Sequence, residues 1–145
     1  MKKYELTSET KIVFGHVLYR IKALSSFGYV SAGDLGGFLE SEKNLSQNGN
    51  AWVSGNAEVY GNAEVSKIGS IFWIGAVGSR NDTATFFRCT DGVIRVTCGC
   101  FFGNLDEFAK KVRKTHGDND HAKVYMLAID MAKIRISTEK EKTEE

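Results

Sequence analysis

Three stretches of this chain hold residue types that could do chemistry, and all three suit the binding of an anion. The first is "GAVGSRNDTAT" at residues 75–85. Gly75 and Gly78 let the backbone turn tightly and expose its amides, and Arg80 brings a planar fork that fits phosphate. Ser79, Asn81, Thr83 and Thr85 add neutral hydrogen-bonding groups. The same residue types also build an ordinary hairpin turn facing water, and the stretch lacks the lysine before Ser or Thr that a P-loop requires. The second is "KTHGDNDHAK" at residues 114–123, which sets His116, Asn119 and His121 near a helix N-terminus. Free amides and the helix dipole favour an anion there, while capping alone explains Asp and Asn equally.

The third is Arg135. At 100° per residue it falls beside Val124, Ala128 and Met131, on the apolar side of its helix. A charge in that position needs a partner: it snorkels from the last turn, pairs with a carboxylate, or meets an anionic ligand. Phe101 and Phe102 follow "CGC" at the end of a strand, where one ring can face the core and its neighbour outward. An outward ring beside Arg80 could stack on a base.

No G-x-S-x-G elbow, H-E-x-x-H helix or carboxylate pair is present, and no orienting partner for a histidine is evident, so binding is expected in place of catalysis. Cys89, Cys98 and Cys100 are an odd number, and C-x-C without a second ligand pair lacks zinc spacing. Free thiols are expected, with no metal and no cofactor, and with Cys98 and Cys100 on one face of a strand. The net charge of +1 comes from 19 basic and 18 acidic residues, which offers no dense field to DNA. No run approaches the roughly 20 apolar residues of a membrane span, and nothing resembles a signal peptide, so a cytoplasmic protein is expected.

These candidates must be positioned by two kinds of structure. Residues 49–66 read "GNAWVS GNAEVY GNAEVS", and the six-residue register extends backward through Leu39, Leu45, Ala51, Ala57 and Ala63, with a second row at Val53, Val59 and Val65. Such a period is the signature of a parallel β-helix with roughly three hexads per turn. One or two turns are too few to stand alone, so the rest of the chain should cap them and copies should join. Before the hexads, short apolar runs between turns favour strands, "HVLYRIKAL" most of all. After Ser66, "KIGSIFWIGAVGS", "TATFFRCTDG" and "VIRVTCGCFFG" read as three strands, with a hairpin at Asp91-Gly92.

The period then becomes helical. Asn104 and Glu107 form a capping box, Leu105, Phe108, Ala109 and Val112 share a face, and Gly117 ends the helix. A second helix, capped by Asp118 or Asn119, runs to about Arg135 and is apolar on most of its circumference, which predicts burial on two sides, one of them against a partner subunit. The expected fold is α+β: a short hexapeptide-repeat, β-helix-like segment at 1–66, an antiparallel β-sheet with two C-terminal helices at 67–136, and a disordered charged tail at 137–145.

The series "IGAVGSRNDTATFF", "VTCGCFFGNLDEFAKKV" and "THGDNDHAKVYMLAI" resembles the phage Thoeris anti-defence sponges, over about residues 67–136. That resemblance implies capture, without cleavage, of cyclic ADP-ribose isomers and of cyclic di- and trinucleotides of related CBASS-type defences, inside the infected host's cytoplasm. It also implies dimers that assemble into hexamers and hold ligand between subunits. On matching positions it implies that Arg80 and Arg135 neutralise phosphates, Asn119 and Thr97 hydrogen-bond ribose or base, and Phe101 stacks. The N-terminal part resembles phage hexapeptide-repeat proteins, which often trimerise. Two readings of other classes stand beside it: a hexapeptide acyltransferase with His16 or His116 as general base, and a structural trimeric phage protein.

Overall fold

The computed structural model describes residues 2–136 and is α+β, with two four-stranded sheets and two helices. The charged tail expected to be disordered lies outside the described residues. In the first sheet β1 (Tyr4–Val13) and β2 (His16–Ala23) form a hairpin, β3 (Leu35–Leu39) pairs antiparallel with β2, and β4 (Glu58–Val59) runs parallel to β3. The strand expected from "HVLYRIKAL" is β2.

The six-residue register is visible as burial. Leu39, Leu45, Ala51, Ala57 and Ala63 form one buried row, Val53, Val59 and Val65 the other, and both share a core with Tyr4 and Ile21. Leu39 lies beside Val59 and Leu45 beside Val65 in parallel register, so the chain passes over itself once. The corners turn on Gly49, Gly55 and Gly61, each with positive φ (76°, 58° and 69°), which explains why glycine opens every hexad. The side chain of buried Asn44 donates to the carbonyls of Gly61 and Ala63, satisfying backbone that the short ladder leaves unpaired. Among the described residues a parallel ladder and a double buried row are present, and no closed β-helix is shown.

The second sheet has the order β5 (Ile71–Val77), β6 (Asp82–Arg88), β7 (Ile94–Cys98), β8 (Phe101–Asn104), all antiparallel. Four strands replace the expected three because "VIRVTCGCFFG" folds back on itself. Gly99 takes a φ of 56° and Cys98 pairs with Phe101 across a two-residue turn. Cys98 and Cys100 therefore do not share a strand face: Cys98 is half-buried and Cys100 is exposed at the turn.

Alternation along β6 sends its side chains to two cores. Phe87, and Cys89 just past the strand's end, join the hexad rows, whereas Ala84 and Phe86 meet the helices. One face of the second sheet thus caps the hexad stack, and the other carries α1 (Leu105–His116) and α2 (Asp120–Arg135). The cap at α1 is reciprocal: Asn104 Oδ1 accepts from the Glu107 N–H and Glu107 Oε1 from the Asn104 N–H, both at 2.8 Å. Gly117 closes α1, and Asn119 caps α2.

Helix α2 buries Ala122, Tyr125, Ala128, Ile129 and Ala132 within the chain. Its second apolar stripe, Val124, Leu127, Met131 and Ile134, faces outward, so within one chain only one side is buried. Among the described residues no helix is long and apolar enough to cross a membrane.

Candidate functional site

A cleft of about 640 Å³ lies where the β5–β6 turn, the β7–β8 turn and the end of α1 converge. The β5–β6 turn brings Ser79 and Arg80, and the chain can make it because Gly78 has a φ of 76° and Asn81 a φ of 54°, a region Asn enters more readily than most residues. Helix α1 contributes Phe108, Lys111, Val112, Thr115 and His116, whose spacing is that of one helical face. The floor holds Phe101, packed on Phe108 with ring centroids 5.2 Å apart, and Tyr125 from α2. The Tyr125 ring is stacked at 5.8 Å on His116.

The lining charges are the cations Arg80 and Lys111, the titratable His116, and one carboxylate, Asp82. Burial pushes the Cys98 thiol above its ordinary value, and the Tyr125 hydroxyl likewise, the two standing 3.8 Å apart. A raised thiol is a poor nucleophile at neutral pH. The cleft therefore offers two cations beside apolar rings, the pattern that receives a phosphorylated, ring-bearing molecule.

Of the residues singled out from the sequence, Arg80, Phe101 and His116 come together here, with Asn81 beside Arg80 in its turn. Thr97 is buried in the seam between the sheets, where its hydroxyl donates to the Glu58 carbonyl at 2.7 Å. Thr83 sits on β6 against Gly75. Asn119 Oδ1 accepts from the Ala122 N–H at 3.0 Å as the α2 cap. Arg135 lines a separate cleft with Trp52 and Trp73.

Lys111 and Thr115 were missed, although their place three and seven residues after Phe108 puts them on its side of the helix. Phe14 was missed as well. It stands at the β1–β2 turn with a φ of 50° and brings the N-terminal hairpin to the rim. Phe102 also lines the cleft, and its ring stacks on Tyr60 at 5.0 Å.

Sequence alone showed no partner for a histidine, but the fold supplies one: His16 Nδ1 is 2.6 Å from Glu40 Oε2. Neither cleft is lined by His16. Among the described residues no group of three or more His, Cys, Asp or Glu could hold a metal ion. The chain matches no protein-family model, and no curated protein matches it.

Proposed function

We propose that this protein is a non-enzymatic phage sponge that captures a cyclic nucleotide immune signal, a cyclic ADP-ribose isomer or a cyclic oligonucleotide, in the host cytoplasm. The observation that carries this reading is the pairing of Arg80 and Lys111 with the Phe101 and Phe108 rings in one cleft. Two cations neutralise phosphates while a ring face takes a base.

Assembly belongs to the same reading. The outward stripe on α2 repeats at spacings of three and four residues, so two copies laid antiparallel set Val124 against Ile134 and Leu127 against Met131. On this reading the hexad segment, with its parallel ladder, joins copies in threes, and twofold and threefold contacts together give a hexamer. Calorimetry with cyclic ADP-ribose isomers and cyclic dinucleotides, followed by recovery of intact ligand after denaturation, tests the proposal. Stoichiometric binding with unchanged ligand is expected, and failure to bind any of them overturns it.

A second reading, acyl transfer with His16 as general base, draws on one observation, the carboxylate that orients its ring. It predicts acyl-CoA consumption that Glu40→Gln slows; an inactive wild-type protein removes it.

A further inference from the structure

A second cleft, of about 610 Å³, opens where the loop at 28–30, the hexad segment and β5 meet the end of α2. It shares no lining residue with the Arg80 cleft. Tyr29, Asn50 and Trp52 come from the N-terminal segment, outside the stretch that resembles the sponges, and Trp73 and Arg135 complete it. Its volume is that of a small-molecule site.

The rings are held for contact. Trp52 is fixed edge-on to Phe27, with centroids 5.4 Å apart, and to Tyr4 at 6.3 Å. Its six-membered ring also covers Gly36, where an added Cβ would come within 2.6 Å of it. The indole is therefore held in place by its neighbours while still lining the cleft. Trp73, on edge strand β5, is 39% exposed, and the Tyr29 side chain stands wholly in solvent. For an uncommitted surface these are costly residues to expose together. Arg135 lines the same cleft and has no ion-pair or hydrogen-bond partner among the described residues. A base stacks on the face of an aromatic side chain whatever its identity, and guanidinium is the side-chain group best shaped for phosphate.

We infer that this cleft is a second binding site, for a nucleoside monophosphate, with the base against Trp52 and Trp73 and the phosphate on Arg135. The inference does not rest on the sponge reading. Both tryptophans of the chain line this cleft, so intrinsic fluorescence reports on it directly. The full chain is titrated with AMP, and with adenosine and inorganic phosphate as separate arms.

AMP should quench saturably, adenosine should bind at least tenfold more weakly, and phosphate alone should change nothing. Arg135→Gln should weaken AMP at least tenfold while Arg80→Ala leaves it within twofold. Trp73→Leu, read by the remaining Trp52, should weaken AMP as well. A chain ending at residue 136 should bind AMP at least as tightly as the whole. Absence of saturable quenching, or loss of it in Arg80→Ala with retention in Arg135→Gln, overturns the site and leaves the Arg80 cleft to be judged on its own ligands. Loss of binding with the tail also overturns it.

Discussion

Thr97 Oγ1 donates to the carbonyl of Glu58 at 2.7 Å, while its cross-strand neighbour Thr85 accepts from the N–H of the same Glu58 at 3.3 Å. Two adjacent threonines of the second sheet thus satisfy both polar groups of one residue on β4, the edge strand of the first. An edge that would invite another chain is closed by side chains. Thr97→Val keeps the shape and removes the donor, so the variant should lose about 1–3 kcal/mol of stability. Denaturant unfolding measures it; a loss below about 0.5 kcal/mol would show that the hydroxyl is not the fastener.

That seam marks the limit of what periodicity could reveal. The hexad rows were legible because a small or apolar residue recurs at every sixth position and is buried each time, and the two helices were legible because Asn104, Gly117 and Asn119 act within four residues. Contacts between Glu58 and Thr97, or Phe14 and the cleft, join distant positions and leave no periodic trace. The ligand role of Thr97 was implied by the family resemblance alone, because a strand threonine reads the same whether its hydroxyl meets a ligand or a carbonyl. The extra hairpin at Gly99 was missed because a two-residue turn without Asn-Gly or Asp-Gly is hard to tell from a continuous strand.

Asn119 and Arg80 should respond oppositely to alanine. Asn119 Oδ1 is occupied by the Ala122 N–H, so Asn119→Ala should cost about 1 kcal/mol of stability and leave affinity for the proposed nucleotide ligand within about twofold. Arg80→Ala and Lys111→Ala should leave stability within about 0.5 kcal/mol and weaken binding at least about tenfold each, the loss of a charge-assisted contact. Paired melting and calorimetry on the three variants separates the roles. Equal affinity in all three would remove the cleft from consideration.

Gly78 is required twice over. Its φ is 76°, and a Cβ added there would lie 1.9 Å from the Tyr125 hydroxyl oxygen. Gly78→Ala should therefore destabilise by more than about 1 kcal/mol, the ordinary cost of a strained left-handed position. In a double-mutant cycle with Tyr125→Phe, which removes the oxygen, part of that loss should return. Strict additivity would mean that backbone strain alone accounts for the requirement.

Glu40 makes the first sheet sensitive to acid. Burial alone would raise its carboxyl, but the His16 ring at 2.6 Å and the Gly61 N–H at 2.9 Å hold it below the ordinary range. A depressed carboxylate stabilises the fold above its unfolded value and loses that contribution as pH falls through the folded one. Glu40→Gln should thus be less stable than wild type at neutral pH, by about 1 kcal/mol or less for so exposed a pair. The two should converge under acid. A gap that persists well below the carboxylate range would assign the effect to packing and not to charge.

The outward stripe on α2 gives the sharpest test of assembly. Leu127 is 62% and Ile134 83% exposed, yet with Val124 and Met131 they keep the three-four spacing of a helix seam. Leaving four such residues in water forfeits the stabilisation of their burial, about 1.5–3 kcal/mol for each side chain fully covered. A second copy docked there would recover it on both helices at once, because an isologous pair uses the same patch twice. Leu127→Glu places two carboxylates in that seam, so the solution mass should fall by half or more while the single-chain circular dichroism stays unchanged. Because α2 packs inward through Tyr125, Ala128, Ile129 and Ala132, the substitution should not disturb the core. An unchanged mass would remove the stripe as a contact between copies.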